Sequence, residues 1–102
     1  MVRWLLEHGD PGADGLVPQI DRLTVIGKCE CGCPTVDFAL DGKAVPRKGE
    51  KIVSDFRAEV DGQDVGVMLF QTDGKISSLE VYSFAGSDKP FDLPLIETLH
   101  SY

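Results

Sequence analysis

Residues 65–84 carry the strongest structural signal in the chain and read VGVMLFQTDGKISSLEVYSF. Residues 65–71 are apolar on both faces of an extended chain, which predicts a strand at the centre of a sheet. Asp73-Gly74 is a strong signal for a two-residue hairpin turn between apolar runs. Residues 75–84 are again rich in apolar positions, so we expect them to form the returning strand.

The preceding segment, residues 52–60, predicts a half-exposed antiparallel strand because apolar and charged residues alternate along it. One face of this strand is expected to carry Ile52, Phe56, Ala58 and Val60. The other face is expected to carry Asp55, Arg57 and Glu59. Asp61-Gly62 starts a tight turn after it, so the last three predicted strands form a meander.

Two further strands are predicted nearer the N-terminus, at residues 20–27 and 35–41, from their alternating apolar positions. Asp41-Gly42 marks a turn after the second of these strands. Residues 10–19 and 43–51 are expected to be loops because they contain glycine and proline, and the second loop is rich in lysine and arginine.

Short helical segments are expected near both ends, at residues 2–8 and 91–99, with Asp92 as a candidate cap for the second. The predicted fold class is therefore α+β, with an antiparallel sheet of about five strands and short helical segments at the N- and C-termini. The chain has 102 residues, which suffices for one hydrophobic core, so residues 1–102 are expected to form a single domain.

The composition argues against several classes of protein. Apolar residues make up 42% and charged residues 26%, as in ordinary globular proteins, so a wholly disordered chain is excluded. The net charge of −7 argues against binding to nucleic acid or to an anionic membrane. The sequence has no run of about 18 apolar residues, so no membrane span is expected. Its first residues lack the features of an export signal, which predicts a cytoplasmic protein.

Three cysteines lie within five residues, at Cys29, Cys31 and Cys33, and an odd count of this kind favours reduced thiols. In an extended chain they share one face at a spacing of about 6.5–7 Å, which is too wide for one tetrahedral metal ion unless the segment bends. Three interpretations follow: small apolar residues packed at a sheet edge, reactive thiols, or a zinc site. The zinc site would need a fourth ligand from His8, His100 or an acidic residue.

Three stretches of the chain together resemble a family of small bacterial domains of unknown function. These stretches are residues 27–36, which contain Cys-Glu-Cys-Gly-Cys, then residues 66–70 and the closing hairpin at 73–83. The resemblance spans roughly residues 16–99, and the family has no established activity that it could imply for this chain. Some similar small acidic domains lie near toxin genes and act as immunity proteins, which implies a protein partner.

The sequence shows no nucleophile paired with a base, so no catalytic residue is assigned and enzymatic activity is not favoured. Candidate binding residues are Asp55, Arg57 and Glu59 on the polar strand face, and Glu80, which interrupts an apolar pattern. We predict a non-catalytic protein-binding module whose acidic surface complements a basic partner. The alternative is a metal- or thiol-dependent protein that uses the three cysteines. An unpaired edge strand would also allow a homodimer.

Overall fold

The computed structural model describes residues 1–28, 35–84 and 93–101. Helix α1 (Val2–Glu7) is followed by a long 3-10 helix, η1 (Ala13–Arg22). A sheet then contains β1 (Leu23–Lys28), β2 (Val36–Leu40), β3 (Lys43–Ala44), β4 (Lys51–Val60), β5 (Gln63–Thr72) and β6 (Lys75–Ser83). A short 3-10 helix, η2 (Ile96–Thr98), lies near the C-terminus.

The predicted α+β class with an antiparallel sheet is confirmed. The strand order is β1-β2-β6-β5-β4, and the two-residue strand β3 pairs with β2 beside this path. All the strand pairs are antiparallel. Strand β5 lies between β4 and β6, as its apolar character on both faces predicts.

Three Asp-Gly pairs connect neighbouring strands by two-residue turns. Asp41, Asp61 and Asp73 have φ angles of 51–52°, and the glycine that follows each has a φ angle of 80–82°. Positive φ at both central positions is the requirement of a type I′ turn, whose twist matches that of the flanking strands. All three turns therefore lie where the sequence predicts them.

The helices cover one face of the sheet and form the core with it. Leu5 and Leu6 of α1 pack with Val65, Val67 and Leu69 of β5, and all five side chains are at most 1% exposed. Apolar residues of η1 pack against this cluster as well: Leu16, Val17 and Ile20. The amphipathic pattern of α1 thus stabilises the fold by covering the apolar face of the central strands.

The structure differs from the sequence-based prediction at the N-terminal loop and first strand. Residues 13–22 form η1 even though they include Pro18, and β1 begins only at Leu23. Proline has no N–H to donate, but its fixed φ angle is compatible with 3-10 geometry, so apolar contacts to the core hold the segment in turns. Near the C-terminus only Ile96–Thr98 is helical, and the candidate cap Asp92 lies outside the described residues.

The predicted orientation of Ile52 is wrong, because β4 contains a β-bulge between Ile52 and Ser54. The register pairs Ile52 with Phe70 and Ser54 with Leu69, so Val53 is the extra residue. The bulge turns Ile52 to the face opposite the helices, where it is 46% exposed, while Val53 and Ala58 stay in the core. A bulge in β6 makes Ser77 the extra residue between Ile76 and Ser78.

Within the described residues the structure has no helix that combines the length and the apolar character required to cross a membrane.

Two buried serines provide a test of the core. Ser54 Oγ is fully buried and has no hydrogen-bond partner among the described residues, whereas Ser78 Oγ donates to Glu50 Oε2 at 3.1 Å. We expect Ser54→Ala to raise the free energy of unfolding by about 1 kcal/mol, because it removes an unsatisfied hydroxyl. Ser78→Ala should lower the free energy of unfolding by about 1 kcal/mol, because the substitution removes the hydrogen bond to Glu50. Urea unfolding followed by Trp4 fluorescence measures both, and equal losses in the two variants would contradict the assignment.

Candidate functional site

The sheet face opposite the helices, called the outer face here, carries the predicted binding residues. Its side chains form rows because cross-strand partners share a face. One row runs from Asp55 through Met68 to Glu80, and the next from Arg57 through Gly66 to Tyr82. Glu59 faces Asp64 in a third row. Asp55, Arg57, Glu59 and Glu80 therefore lie on one surface, and the predicted polar face of β4 is confirmed.

Arg57 lies beside an aromatic pair at the centre of the outer face. The rings of Tyr82 and Phe84 meet edge to face with 5.3 Å between centroids. The Arg57 guanidinium lies 5.4 Å from the Phe84 centroid, within the range of a cation–π interaction. The Tyr82 ring covers Gly66 so closely that a Cβ there would lie 2.5 Å from Tyr82 Oη. A larger residue at position 66 would displace the Tyr82 ring, so the glycine allows this ring to lie over β5.

Two carboxylates stand directly opposite each other at the end of the β4–β5 hairpin. Glu59 and Asp64 are cross-strand partners and both are exposed. Opposite charges in this position stabilise a sheet by roughly 0.2–1 kcal/mol. Like charges in the same position destabilise it. Arg57 Nη2 lies 3.4 Å from Asp64 Oδ2, while no cation lies within 4 Å of the Glu59 carboxylate in the part of the chain that the structure describes. Within the described ranges, Glu59 thus keeps a negative charge that no cation pairs with.

A cavity of about 250 Å³ adjoins Glu59. Its acidic lining comes from Glu59 and Asp61, and its apolar lining includes Val60, Leu93 and Leu95. Leu95 is 70% exposed and Leu93 is 42% exposed, so both leucines are accessible to a ligand in the cavity. An acidic rim on an apolar wall complements a lysine or arginine side chain, which has an aliphatic stem and a cationic head.

At the other end of the outer face, Arg47 binds a group of carboxylates. Its guanidinium forms ion pairs with Glu80, with Glu50 at 3.1 Å and with Asp37 at 3.5 Å. The hydrogen bonds to Glu50 and then to Glu80 raise the pKa of Arg47 further above its ordinary value. The predicted binding residue Glu80 is therefore half-buried and paired, and it differs from the exposed Asp55 and Glu59.

Glu50 is held in place by two serines of β6. Ser77 Oγ and Ser78 Oγ each donate to Glu50 Oε2 at 3.1 Å. Successive strand residues normally point to opposite faces, so the bulge at Ser77 is what allows both hydroxyls to reach one oxygen. Both serines are fully buried, which keeps their hydroxyls away from any dissolved substrate. This group of side chains fastens the 45–50 loop to the sheet.

The two edges of the sheet differ. The outer edge of β4 is covered, because Arg57 exchanges two backbone hydrogen bonds of 2.9 Å with His100, and Val53 O accepts one from Asp10. In the described part of the chain no segment pairs with the outer edge of β1, where Val25 is 46% and Ile26 is 52% exposed. Homodimer formation through an edge strand stays a prediction. The strand that could form such a dimer is β1.

The proposed metal ligands Cys29, Cys31 and Cys33 lie outside the described residues. The described ranges contain no group of three or more His, Cys, Asp or Glu side chains arranged to hold a metal ion. His8 stacks on Trp4 with 4.1 Å between ring centroids, and its Nδ1 lies 2.8 Å from Trp4 O. His100 lies at the edge of β4, so neither histidine joins the carboxylates of the outer face.

Comparison with known proteins shows no matching family model, curated protein or solved structure. The resemblance to small bacterial domains therefore rests on the sequence motifs alone.

The ion pairs of Arg47 with Asp37, Glu50 and Glu80 can be tested for their contribution to stability. Arg47→Gln leaves Glu50, Glu80 and Asp37 without their cation, so we expect the free energy of unfolding to fall by about 1 kcal/mol. Lys48→Gln removes the same charge from the neighbouring exposed position and should change it by less than about 0.5 kcal/mol. Chemical denaturation at low and high salt measures the difference. A loss that is equal in both variants would show that only the net charge matters.

Proposed function

We propose that the chain is a non-catalytic module that binds a cationic protein through its outer face. The observation that carries the proposal is Glu59, which faces Asp64 across the hairpin and has no ion pair among the described residues, whereas Asp64 pairs with Arg57. Exposed aromatic residues lie on the same surface. Like charges opposed across a hairpin reduce the stability of the free protein, and a bound lysine or arginine would remove that penalty.

The composition of the outer face supports the same role. Protein interfaces are enriched in tyrosine, phenylalanine, methionine and arginine, and Tyr82, Phe84, Met68 and Arg57 lie together here. Acidic residues surround this centre, and the chain has a net charge of −7. Charge of one sign steers a partner of the opposite sign and increases the association rate. An inhibitor of a basic toxin would bind in this way, as the resemblance to immunity-like domains implies.

The cavity beside Glu59 supplies an anchor at the β4 edge of this surface. A lysine or arginine of the partner would place its stem against Leu93 and Leu95 and its charge between Glu59 and Asp61. Anchors of this kind, buried in a pocket, carry much of the binding energy of an interface. The odd number of cysteines favours reducing conditions, so we place this interaction in the cytoplasm.

Charge reversal on the outer face tests the proposal. The purified chain is used to capture partners from a native lysate, the captured protein is identified by mass spectrometry, and its affinity is measured with purified components. We expect Asp55→Lys with Glu59→Lys to weaken this binding at least about tenfold. The double variant should stay as stable as the wild type, because it removes the opposed carboxylates.

A matched control applies the same charge change elsewhere. Asp14 and Asp21 lie on η1, on the opposite side of the sheet, and both are exposed. Asp14→Lys with Asp21→Lys should leave the affinity within about threefold of wild type once the salt dependence is accounted for. If the captured partner binds the two double variants equally well, the outer face is not the binding site. The same conclusion follows if neither double variant changes the binding of any captured partner.

The alternative function rests on Cys29, Cys31 and Cys33. Structural zinc supplies folding free energy, so a metal-dependent chain loses stability in chelator. Since the described residues add no metal-binding group, we expect purified, untagged protein to contain less than about a tenth of an equivalent of zinc or iron. All three thiols should react with a thiol reagent after unfolding. One equivalent of metal with protected thiols would favour the alternative instead.

A further inference from the structure

A second cavity, of about 260 Å³, lies between the end of η1, the β2–β3 hairpin and the start of β6. Three cations line it: Arg22, Lys43 and Lys75. These are three of the ten lysines and arginines in a chain whose net charge is −7. Apolar side chains form the rest of its wall, including Leu40 and Val45, which are 8% and 6% exposed. This cavity, called the basic cavity here, has a charge opposite to that of the whole protein.

Most of this positive charge is uncompensated. Arg22 donates two hydrogen bonds to Asp41, from Nε at 2.8 Å and from Nη2 at 2.5 Å. These bonds raise the pKa of Arg22 and lower that of Asp41, so both remain charged and cancel each other. Among the residues that the structure describes, no carboxylate lies within 4 Å of the Lys43 or Lys75 ammonium group. The basic cavity is therefore lined by two lysines that have no ion pair among the described residues.

The walls of the basic cavity are held by hydrogen bonds before any ligand binds. Gln19 reaches across to the β5–β6 turn, where its Nε2 donates to Gly74 O at 2.6 Å and its Oε1 accepts from Ile76 N at 3.0 Å. The backbone on both sides of Lys75 is thus fixed to η1. On the opposite wall, Lys43 pairs with Leu40 in the hairpin, and Val45 N donates to Phe38 O. A site that is fixed in advance loses less entropy on binding.

We propose that the basic cavity binds a small anion in which a phosphate or carboxylate group is attached to a short apolar body. The ammonium groups of Lys43 and Lys75 bind the anionic group, and the apolar body packs against Leu40 and Val45. The volume lies just below the about 300–1,000 Å³ of sites for drug-sized ligands, so a ligand of that small class fits. The lining of the basic cavity shares no residue with the cavity beside Glu59 and includes none of Asp55, Arg57 and Glu59, so this site is separate from the proposed protein-binding residues.

Titration of the ¹⁵N-labelled full chain with phenyl phosphate tests the proposal by NMR. We expect the amides of residues 41–46 and 74–76 to shift together and to saturate with one dissociation constant. Inorganic phosphate should bind at least about threefold more weakly, because it has no apolar part to bury. Benzyl alcohol, which has no charge, should give no saturable shift. Benzoate in parallel shows whether a carboxylate is accepted in place of a phosphate. Shifts that spread evenly over the surface, or that do not saturate, would overturn the site.

Substitutions of single lysines distinguish binding at the basic cavity from nonspecific attraction by net charge. Lys43→Gln and Lys75→Gln should each weaken the binding of phenyl phosphate about fivefold, as expected for the loss of one exposed charge contact. Lys48→Gln makes the same charge change at an exposed lysine outside the basic cavity and should stay within about twofold of wild type. The unshifted amides of each spectrum report whether the variant is folded. An equal effect of all three substitutions would reduce the binding to nonspecific attraction and refute the proposal.

Discussion

The positive φ angles of three Asp-Gly turns are the constraint on which the rest of this structure depends. Each turn allows only two residues between paired strands, and so it fixes which residues stand opposite each other. Because side chains alternate along a strand, a slip of one residue would exchange the buried and exposed faces. The opposed Glu59 and Asp64 follow directly from the turn at Asp61, and the rows between β5 and β6 follow from the turn at Asp73 together with the bulge at Ser77.

The two bulges, at Val53 and Ser77, interrupt the regular alternation of buried and exposed side chains. At Val53 the extra residue keeps one more apolar side chain in the core and turns Ile52 outward beside Phe70. At Ser77 the extra residue brings two hydroxyls to Glu50, which in turn binds Arg47. A loop rich in positive charge is thereby fastened to strands β2 and β6. Each bulge thus determines a side-chain contact that simple alternation would not produce.

These features also explain what the sequence could and could not predict. The Asp-Gly turns and the charged face of β4 follow from local rules, since a two-residue turn and a period of two need no distant partner. The outward position of Ile52 could not be predicted, because a bulge depends on register with the neighbouring strand. Arg47 was predicted only as part of a solvated loop, since its carboxylate partners Asp37 and Glu80 are 10 and 33 residues away along the chain. Helix η1 is formed by tertiary contacts in a segment whose composition favours a loop.

The same type of residue has two different roles on the outer face, and the contacts distinguish them. Around Arg47 three carboxylates share one guanidinium, and Glu50 also accepts hydrogen bonds from two buried serines, so these contacts hold the 45–50 loop on the sheet and their role is structural. At Glu59 the opposite strand offers another carboxylate, and exposed leucines line the adjoining cavity. A charge that the fold leaves uncompensated beside exposed apolar surface lowers stability unless something binds there. This difference, which composition alone does not show, separates the paired carboxylates around Arg47 from Glu59, where the proposed binding surface lies.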